Sequence, residues 1–265
     1  MFVGEAWGLR AMHHTQTLIT PRVLHAGALA ADGSFIVMEH LQLGAGADQA
    51  ALGRQLALMH SVRAMAARRN WQDVGLTPCI NKQAAPLCAE AAAGRFGFPV
   101  DNTIGGTPQR NAWSAAGGTA AWVDFFRDRR LLPQLALARE PALTRLGERL
   151  CAKLPALFEG LSGEIAPSIL HGDLWSGNIA AVGGSPAVYD PASYYGHAEA
   201  EFGMSWCASF SHAFWAAYHA VRPREPGFEQ RAKLYQLYHY LNHYNLFGGA
   251  YYSTAAALLQ QLCDD

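Results

Sequence analysis

His171-Gly172-Asp173-Leu174-Trp175-Ser176-Gly177-Asn178 is a polar loop between two brief strand-like runs. Ser168-Ile169-Leu170 leads into it, and after a turn Ala187-Val188-Tyr189-Asp190 follows, ending in a second acid. A loop holding Asp173 and Asn178, followed by Asp190, supplies the groups that phosphoryl transfer from a metal-bound nucleotide requires. One carboxylate takes the proton of an attacking hydroxyl, while an amide oxygen and a further carboxylate hold the metal ions. The competing reading is local, since Asp and Asn often cap and tie surface turns. The position of Asp190 at the end of the second run favours the chemical reading.

The bulk numbers bound the rest. The chain's 265 residues are 51% hydrophobic with a formal net charge of −1, a globular composition long enough for one large domain or two lobes sharing a site. Near-neutral charge gives no reason to expect nucleic acid or an anionic membrane as partner. Arg68-Arg69 and Arg129-Arg130 read as solvated faces. Cys79, Cys88, Cys151, Cys207 and Cys263 are odd in number and lack Cys-x-x-Cys spacing. That argues against a disulfide framework or zinc site, suits a reducing compartment, and gives cytoplasmic as the expected location. No apolar run approaches the roughly 18 residues needed to span a bilayer, and the N-terminus has no signal or transit pattern.

Along the chain, Glu5 to Met12 reads as a short helix. Arg22 to Ala26 and Ser34 to Glu39 read as strands of a small sheet, joined by a turn containing Asp32-Gly33. Asp48 is a suitable N-cap for a helix with Leu52, Leu56 and Met59 at helical spacing, ending near His60-Ser61. Ser61 to Gly94, alanine-rich and broken by Pro78 and Pro86, reads as an insertion or irregular segment. Phe96 to Asn111 has loop chemistry. Trp122 begins another helix, and Leu143 to Leu157 is a long helical stretch that Pro155 divides. After Ser205 the pattern is helical and aromatic, with Leu234, Leu237, Leu241 and Tyr244 as a core stripe.

The loop has the His-x-Asp-x-x-x-x-Asn spacing of the protein-kinase catalytic loop. Its full wording, HGDLWSGN, resembles the aminoglycoside-phosphotransferase-like kinases and, within them, the fructosamine kinase (ketosamine-3-kinase) family. Four further stretches resemble that family: Phe96 to Gln109 (FGFPVDNTIGGTPQ), Trp122 to Leu132 (WVDFFRDRRLL), Asp190 to Glu201 (DPASYYGHAEAE) and Tyr235 to Gly249 (YQLYHYLNHYNLFGG). The resemblance covers the chain except roughly Val62 to Gly94. It implies an α+β, protein-kinase-like two-lobe fold. A truncated small β lobe with the hinge is expected at 1–43, and a large, mainly helical C-terminal lobe with catalytic loop and acceptor site at 44–265.

The resemblance also implies ATP and Mg²⁺ as cofactors. It implies phosphorylation of a sugar hydroxyl on a ketosamine, the adduct that sugars leave on amines and lysines, and a link to deglycation. Asp173 would be the general base, with Asn178 and Asp190 the Mg²⁺ ligands and His171 a brace for the loop. Glu39 and Leu41 lie where the hinge should meet the adenine edge. Glu5 matches the helix glutamate that pairs with a strand lysine. Trp175, His197, Glu199 and His239 are candidate acceptor contacts. For each a structural role is also open, and His239 with His243 reads as core or pocket lining rather than a metal pair. Asp124 and Arg127 are open to acceptor contact, and a helix-surface pair explains them as well. Glu201 departs from the family, which usually has aspartate there.

In that family a glycine-rich loop and a lysine strand precede the helix that Glu5 begins. Neither precedes Glu5 here, and the lysines are Lys82, Lys153 and Lys233. The expectation is that the phosphate-covering part of the site is absent, through truncation or because the protein is a degenerate kinase. Three readings therefore stand: a ketosamine kinase acting on small-molecule or protein-bound adducts, a pseudokinase that binds a ligand without turnover, and a kinase for another small-molecule alcohol. Oligomeric state is not legible in the sequence.

Overall fold

The computed structural model describes residues 1–30, 32–62 and 89–264. Most of the segment read as an insertion, from 63 to 88, lies outside the described residues. Helix α1 (Phe2–His13) buries Ala6, Leu9 and Met12, the apolar positions of its inner face. It packs on an antiparallel pair, β1 (Val23–Ala28) and β2 (Ser34–Met38), whose register shifts between Val23 and His25. Two strands alone are marginal, so this sheet depends on the helix laid against it. The chain then crosses to α2 (Gln49–Ser61), capped by Asp48, whose carboxylate accepts from the Ala51 N–H at 2.8 Å.

The remainder is mainly helical. Helix α3 (Gly118–Phe126) runs through a π-helical turn (Arg127–Leu131) into α4 (Leu132–Ala138), and α5 (Pro141–Lys153) gives way to a 3-10 turn, Leu154–Phe158, at Pro155. After the loop region come α6 (Ser205–Ala208), α7 (His212–Val221), α8 (Phe228–Phe247) and α9 (Tyr252–Asp264). Helix α2 packs along α7, and α8 runs through the centre, burying Leu234, Leu237 and Leu241. Tyr244 is only partly buried. Asp124 and Arg127 form the expected surface pair at 2.8 Å. Among the described residues, no helix is long and apolar enough to cross a membrane.

The short strands build the site. Phe96 to Asn111, read as loop, contains a hairpin of β3 (Asn102–Ile104) and β4 (Thr107–Gln109) turned at Gly105-Gly106. β5 (Ser168–Leu170) does not pair with the Ala187 run. It pairs antiparallel with β8 (Tyr194–Gly196), the Tyr-Tyr-Gly stretch. The Ala187 run forms its own hairpin, β6 (Ile179–Val182) with β7 (Ser185–Val188). That hairpin ties the lobes together: Ala181 exchanges main-chain bonds with Gly44 at 2.8 and 2.9 Å, and Val188 N–H donates to the Ile19 carbonyl at 2.9 Å.

Helix α1 reaches the site loop closely because Gly8 has no side chain. A Cβ at Gly8 would lie 2.8 Å from Ser193 Oγ and 3.1 Å from Pro191 Cγ. We expect Gly8→Val to push α1 off this loop and destabilise the protein by about 1–3 kcal/mol, the usual range for overpacking. A thermal melt checks it; an unchanged midpoint would show that the interface accommodates the two added methyls.

Candidate active site

The catalytic loop follows β5 directly. Gly172 has φ +83°, and a Cβ there would lie 2.3 Å from the Ala192 carbonyl oxygen, so conformation and space both require glycine. His171 is fully buried. Its Nδ1 accepts from the Asp173 N–H at 3.3 Å, and its Nε2 donates to the Tyr189 carbonyl at 2.9 Å. Burial keeps this ring neutral, which suits one donor and one acceptor nitrogen. His171 therefore braces the loop, as expected.

Glu201 holds the same loop from below. Its carboxylate accepts from the His171 N–H at 2.7 Å, the Gly172 N–H at 2.9 Å and His60 Nε2 at 3.1 Å. His60 in turn meets the Tyr218 hydroxyl at 2.8 Å. Burial alone would raise the Glu201 carboxyl, but the His60 hydrogen bond, the attraction of His60 and His171 when protonated, and the Gly172 bond together outweigh it and hold it below the usual range. Burial lowers His60, against the hydrogen bond and charge of Glu201.

Asp173, Asp190 and Glu5 line one cavity of about 360 Å³, with Asn102, Thr103 and Gly105 from the β3–β4 hairpin on its wall. Asp173 is raised to about 7, by burial first and then by Asp190, against the bond from Asn178. Glu5 is likewise pushed up to about 7 by burial, with Asp190 adding to the effect. Among the described residues no Lys or Arg is ion-paired with any of the three. Asp190 sits just past β7 in the left-handed region, at φ 55°.

Asn178 shows which of its atoms is left for a cation. Its amide nitrogen donates to the Asp173 carbonyl at 2.9 Å, to Asp173 Oδ2 at 3.3 Å and to the Asp190 carbonyl at 3.3 Å. The amide oxygen is left free of these three bonds. Two hard oxygen donors suit Mg²⁺, which takes one or two protein groups and fills its octahedron with water and phosphate oxygens.

The loop after Asp190 is fixed by amides that sequence reading passed over. Asn102 Nδ2 donates to the Ser193 carbonyl at 2.8 Å, and Gln109 Nε2 donates to the Ala192 carbonyl at 3.1 Å and to Asn102 Oδ1 at 2.8 Å. Tyr238 closes the set, its hydroxyl donating to Gln109 Oε1 at 2.7 Å. Asn102 and Gln109 face each other across the hairpin register, a signal hidden because three-residue strands show no alternation.

At the hinge, the Glu39 N–H is used by the Arg22 carbonyl at 2.9 Å. Among the described residues, the Glu39 carbonyl and both main-chain groups of Leu41 make no main-chain bond. Trp175 is 40% exposed beside the loop. The other candidate acceptor contacts are not brought to this cavity. His197 Nδ1 bonds the Tyr235 hydroxyl at 2.8 Å among Trp122 and Phe158. Glu199 forms a two-pronged pair with buried Arg231 at 2.7 and 2.9 Å. His239 is buried and pushed down to about 3 by desolvation, then by His243. These three side chains are held by packing and by partners inside the helical lobe.

A family model described as fructosamine kinase matches residues 1–265. A rice (Oryza sativa subsp. japonica) chloroplastic protein-ribulosamine 3-kinase is 45% identical over 265 residues, covering 98% of this chain and 68% of that protein. A mouse (Mus musculus) ketosamine-3-kinase is 37% identical over 268 residues, covering 99% of this chain and 83% of the other. A crystal structure from Thermobifida fusca, provisionally named a fructosamine-3-kinase, superposes with a TM-score of 0.75 at 27% identity, covering 100% of this chain and 81% of that one.

Proposed function

The chain belongs to the fructosamine kinase family and has its protein-kinase-like fold, and on that premise we propose that it transfers the γ-phosphoryl group of ATP to a sugar hydroxyl of a ketosamine. The observation that carries this is the cavity itself: Asp173, Asp190 and Glu5 face one space, and the Asn178 amide nitrogen is bonded to Asp173 at its edge. Asp173 accepts the proton of the attacking hydroxyl. Its raised carboxyl is a better base than a solvated aspartate once ionised. Asn178 Oδ1 and the Asp190 carboxylate hold Mg²⁺, whose charge offsets that of the phosphates and of the clustered carboxylates. Asn178 also fixes Asp173 through its amide nitrogen, so one side chain orients the base and faces the metal.

The Glu39 carbonyl and the Leu41 main chain meet the adenine edge. Glu5 projects from α1 toward the phosphates, where a cation would relieve its contact with Asp190. Trp175, exposed within the same loop, offers its ring to the sugar.

A coupled assay with Mg²⁺-ATP and free fructoselysine or ribuloselysine tests the reaction: adduct-dependent ADP release supports it. Turnover of choline or an aminoglycoside but of neither adduct would overturn the acceptor class. For the metal, Asp190→Asn is expected to raise the Mg²⁺ concentration at half-maximal rate on the order of 100-fold, since even the outer partners of metal ligands contribute 10–100-fold. ADP binding without Mg²⁺ should be retained. An unchanged Mg²⁺ requirement would remove Asp190 from the metal site.

A further inference from the structure

Two long stretches of the chain, Phe202 to Val221 and Leu234 to Cys263, contain no Asp, Glu, Lys or Arg. They meet beside the active site. Helix α6 packs on the Ser176–Asn178 turn that follows Asp173. From α6, Trp206 stacks on Tyr240 of α8 with ring centres 4.9 Å apart and planes 24° apart. His243 meets Trp206 edge-on at 5.4 Å and Tyr251 at 5.0 Å. Phe247, one turn beyond, lies 5.6 Å from His243 and 6.2 Å from Tyr251.

These rings form a surface rather than a core. Trp206 is 39% exposed, Leu246 37% and Phe247 67%. The surface joins the cavity at its other edge as well, since a Cβ at Gly105, which lines the cavity, would lie 3.1 Å from Leu246 Cδ1. Burial pushes the neighbouring Cys207 thiol up to about 11, and the Asp173 charge contributes to that rise. An uncharged aromatic shelf thus starts next to Asp173 and leads outward.

We propose that this shelf docks the polypeptide that carries the ketosamine, taking apolar and aromatic side chains that flank the modified lysine. The proposal rests on the reading of Asp173 as the base for the sugar hydroxyl. Tyr240 to Phe247 spans roughly 10 Å of helix at 1.5 Å per residue, the length of about three residues of extended peptide and more than one sugar ring. A second copy of this chain fits less well, because a stable interface buries about 800 Å² per partner, more than two exposed rings and three half-buried ones supply. Exposed aromatics of this kind dominate recognition of short apolar segments.

The test compares free ribuloselysine with two short peptides carrying ribuloselysine, one flanked by Leu and Phe and one flanked by Ser. Both turnover and calorimetric binding are measured. In the wild type, kcat/KM for the Leu/Phe peptide should exceed that for the Ser peptide. In Phe247→Ser the ratio of kcat/KM for the Leu/Phe peptide to that for free ribuloselysine should fall about tenfold, the size expected for a truncated hot-spot ring. Phe247→Trp should retain the ratio, which separates loss of the ring from loss of fold. An unchanged ratio, equal losses on free and peptide substrates, or a dimer that dissociates in Phe247→Ser would overturn the shelf. If no adduct is phosphorylated but peptide binding still depends on Phe247, the kinase reading fails and the shelf stands.

Discussion

Asp173→Asn is expected to lower kcat with a ketosamine acceptor by about 10³-fold, within the range for removal of a general base. The amide has the same shape and keeps an oxygen for the Asn178 bond, so the loop geometry is preserved while proton acceptance is lost. Nucleotide affinity should stay close to wild type, which a titration with Mg²⁺-ADP would report. The same substitution should raise thermal stability at neutral pH. The cause is electrostatic: Asp173 is buried beside Asp190, and Glu201 adds to the repulsion, so its charged form is disfavoured in the folded state. A neutral isostere relieves that repulsion. Opposite signs for activity and stability are the mark of a charge kept for chemistry. A variant retaining more than about a tenth of wild-type kcat would refute the assignment, because so small a loss lies below the range for general-base catalysis.

The parts of this site legible in the sequence were those whose chemistry is local. His171, Asp173 and Asn178 sit in one loop with fixed spacing, and Asp190 follows after one hairpin, so the motif could be read without knowing the fold. Helix α1 and the β1–β2 pair were readable for a related reason, since each carries its own periodicity or turn signal. The braces were not readable, because they act across the chain. Glu201 reaches His171 over 30 positions and His60 over 141. His60 looked like the end of a helix, and Glu201 looked like a mild departure from a family pattern. His197 and Glu199 were open to two readings, bracing and substrate contact. Polar residues just past a metal acid suggest substrate contact, but the strand β8 turns the chain inward there, and both side chains found buried partners in α8. The β3–β4 hairpin was missed because its strands are too short to alternate.

Glu201→Ala is the second large effect expected, and it acts on the loop rather than on the reacting atoms. The substitution leaves the His171 N–H, the Gly172 N–H and His60 Nε2 buried without their acceptor. Removing one partner from such a charged, fully hydrogen-bonded set costs about 3–5 kcal/mol, which lowers the melting temperature by roughly 10 °C in a chain of this size. Glu201→Asp keeps the charge and one fewer methylene, so it should recover part of both stability and kcat, whereas Glu201→Gln presents an NH₂ to at least one donor and should not. A merely structural role would leave kcat unchanged in the fraction that remains folded. A positioning role lowers kcat there while KM for ATP holds, because the hinge is untouched.

The pH dependence gives an independent check on the same carboxylate. Its folded-state pKa lies below the ordinary value, so its stabilising contribution is present above the unfolded pKa, about 4.3, and is lost as pH falls through the folded value. The difference in melting temperature between wild type and Glu201→Ala should therefore be constant from neutral pH to about 5 and shrink below about 4. A difference that does not shrink in acid would mean that side-chain packing, not the carboxylate's hydrogen bonds to the loop, is what the substitution removes.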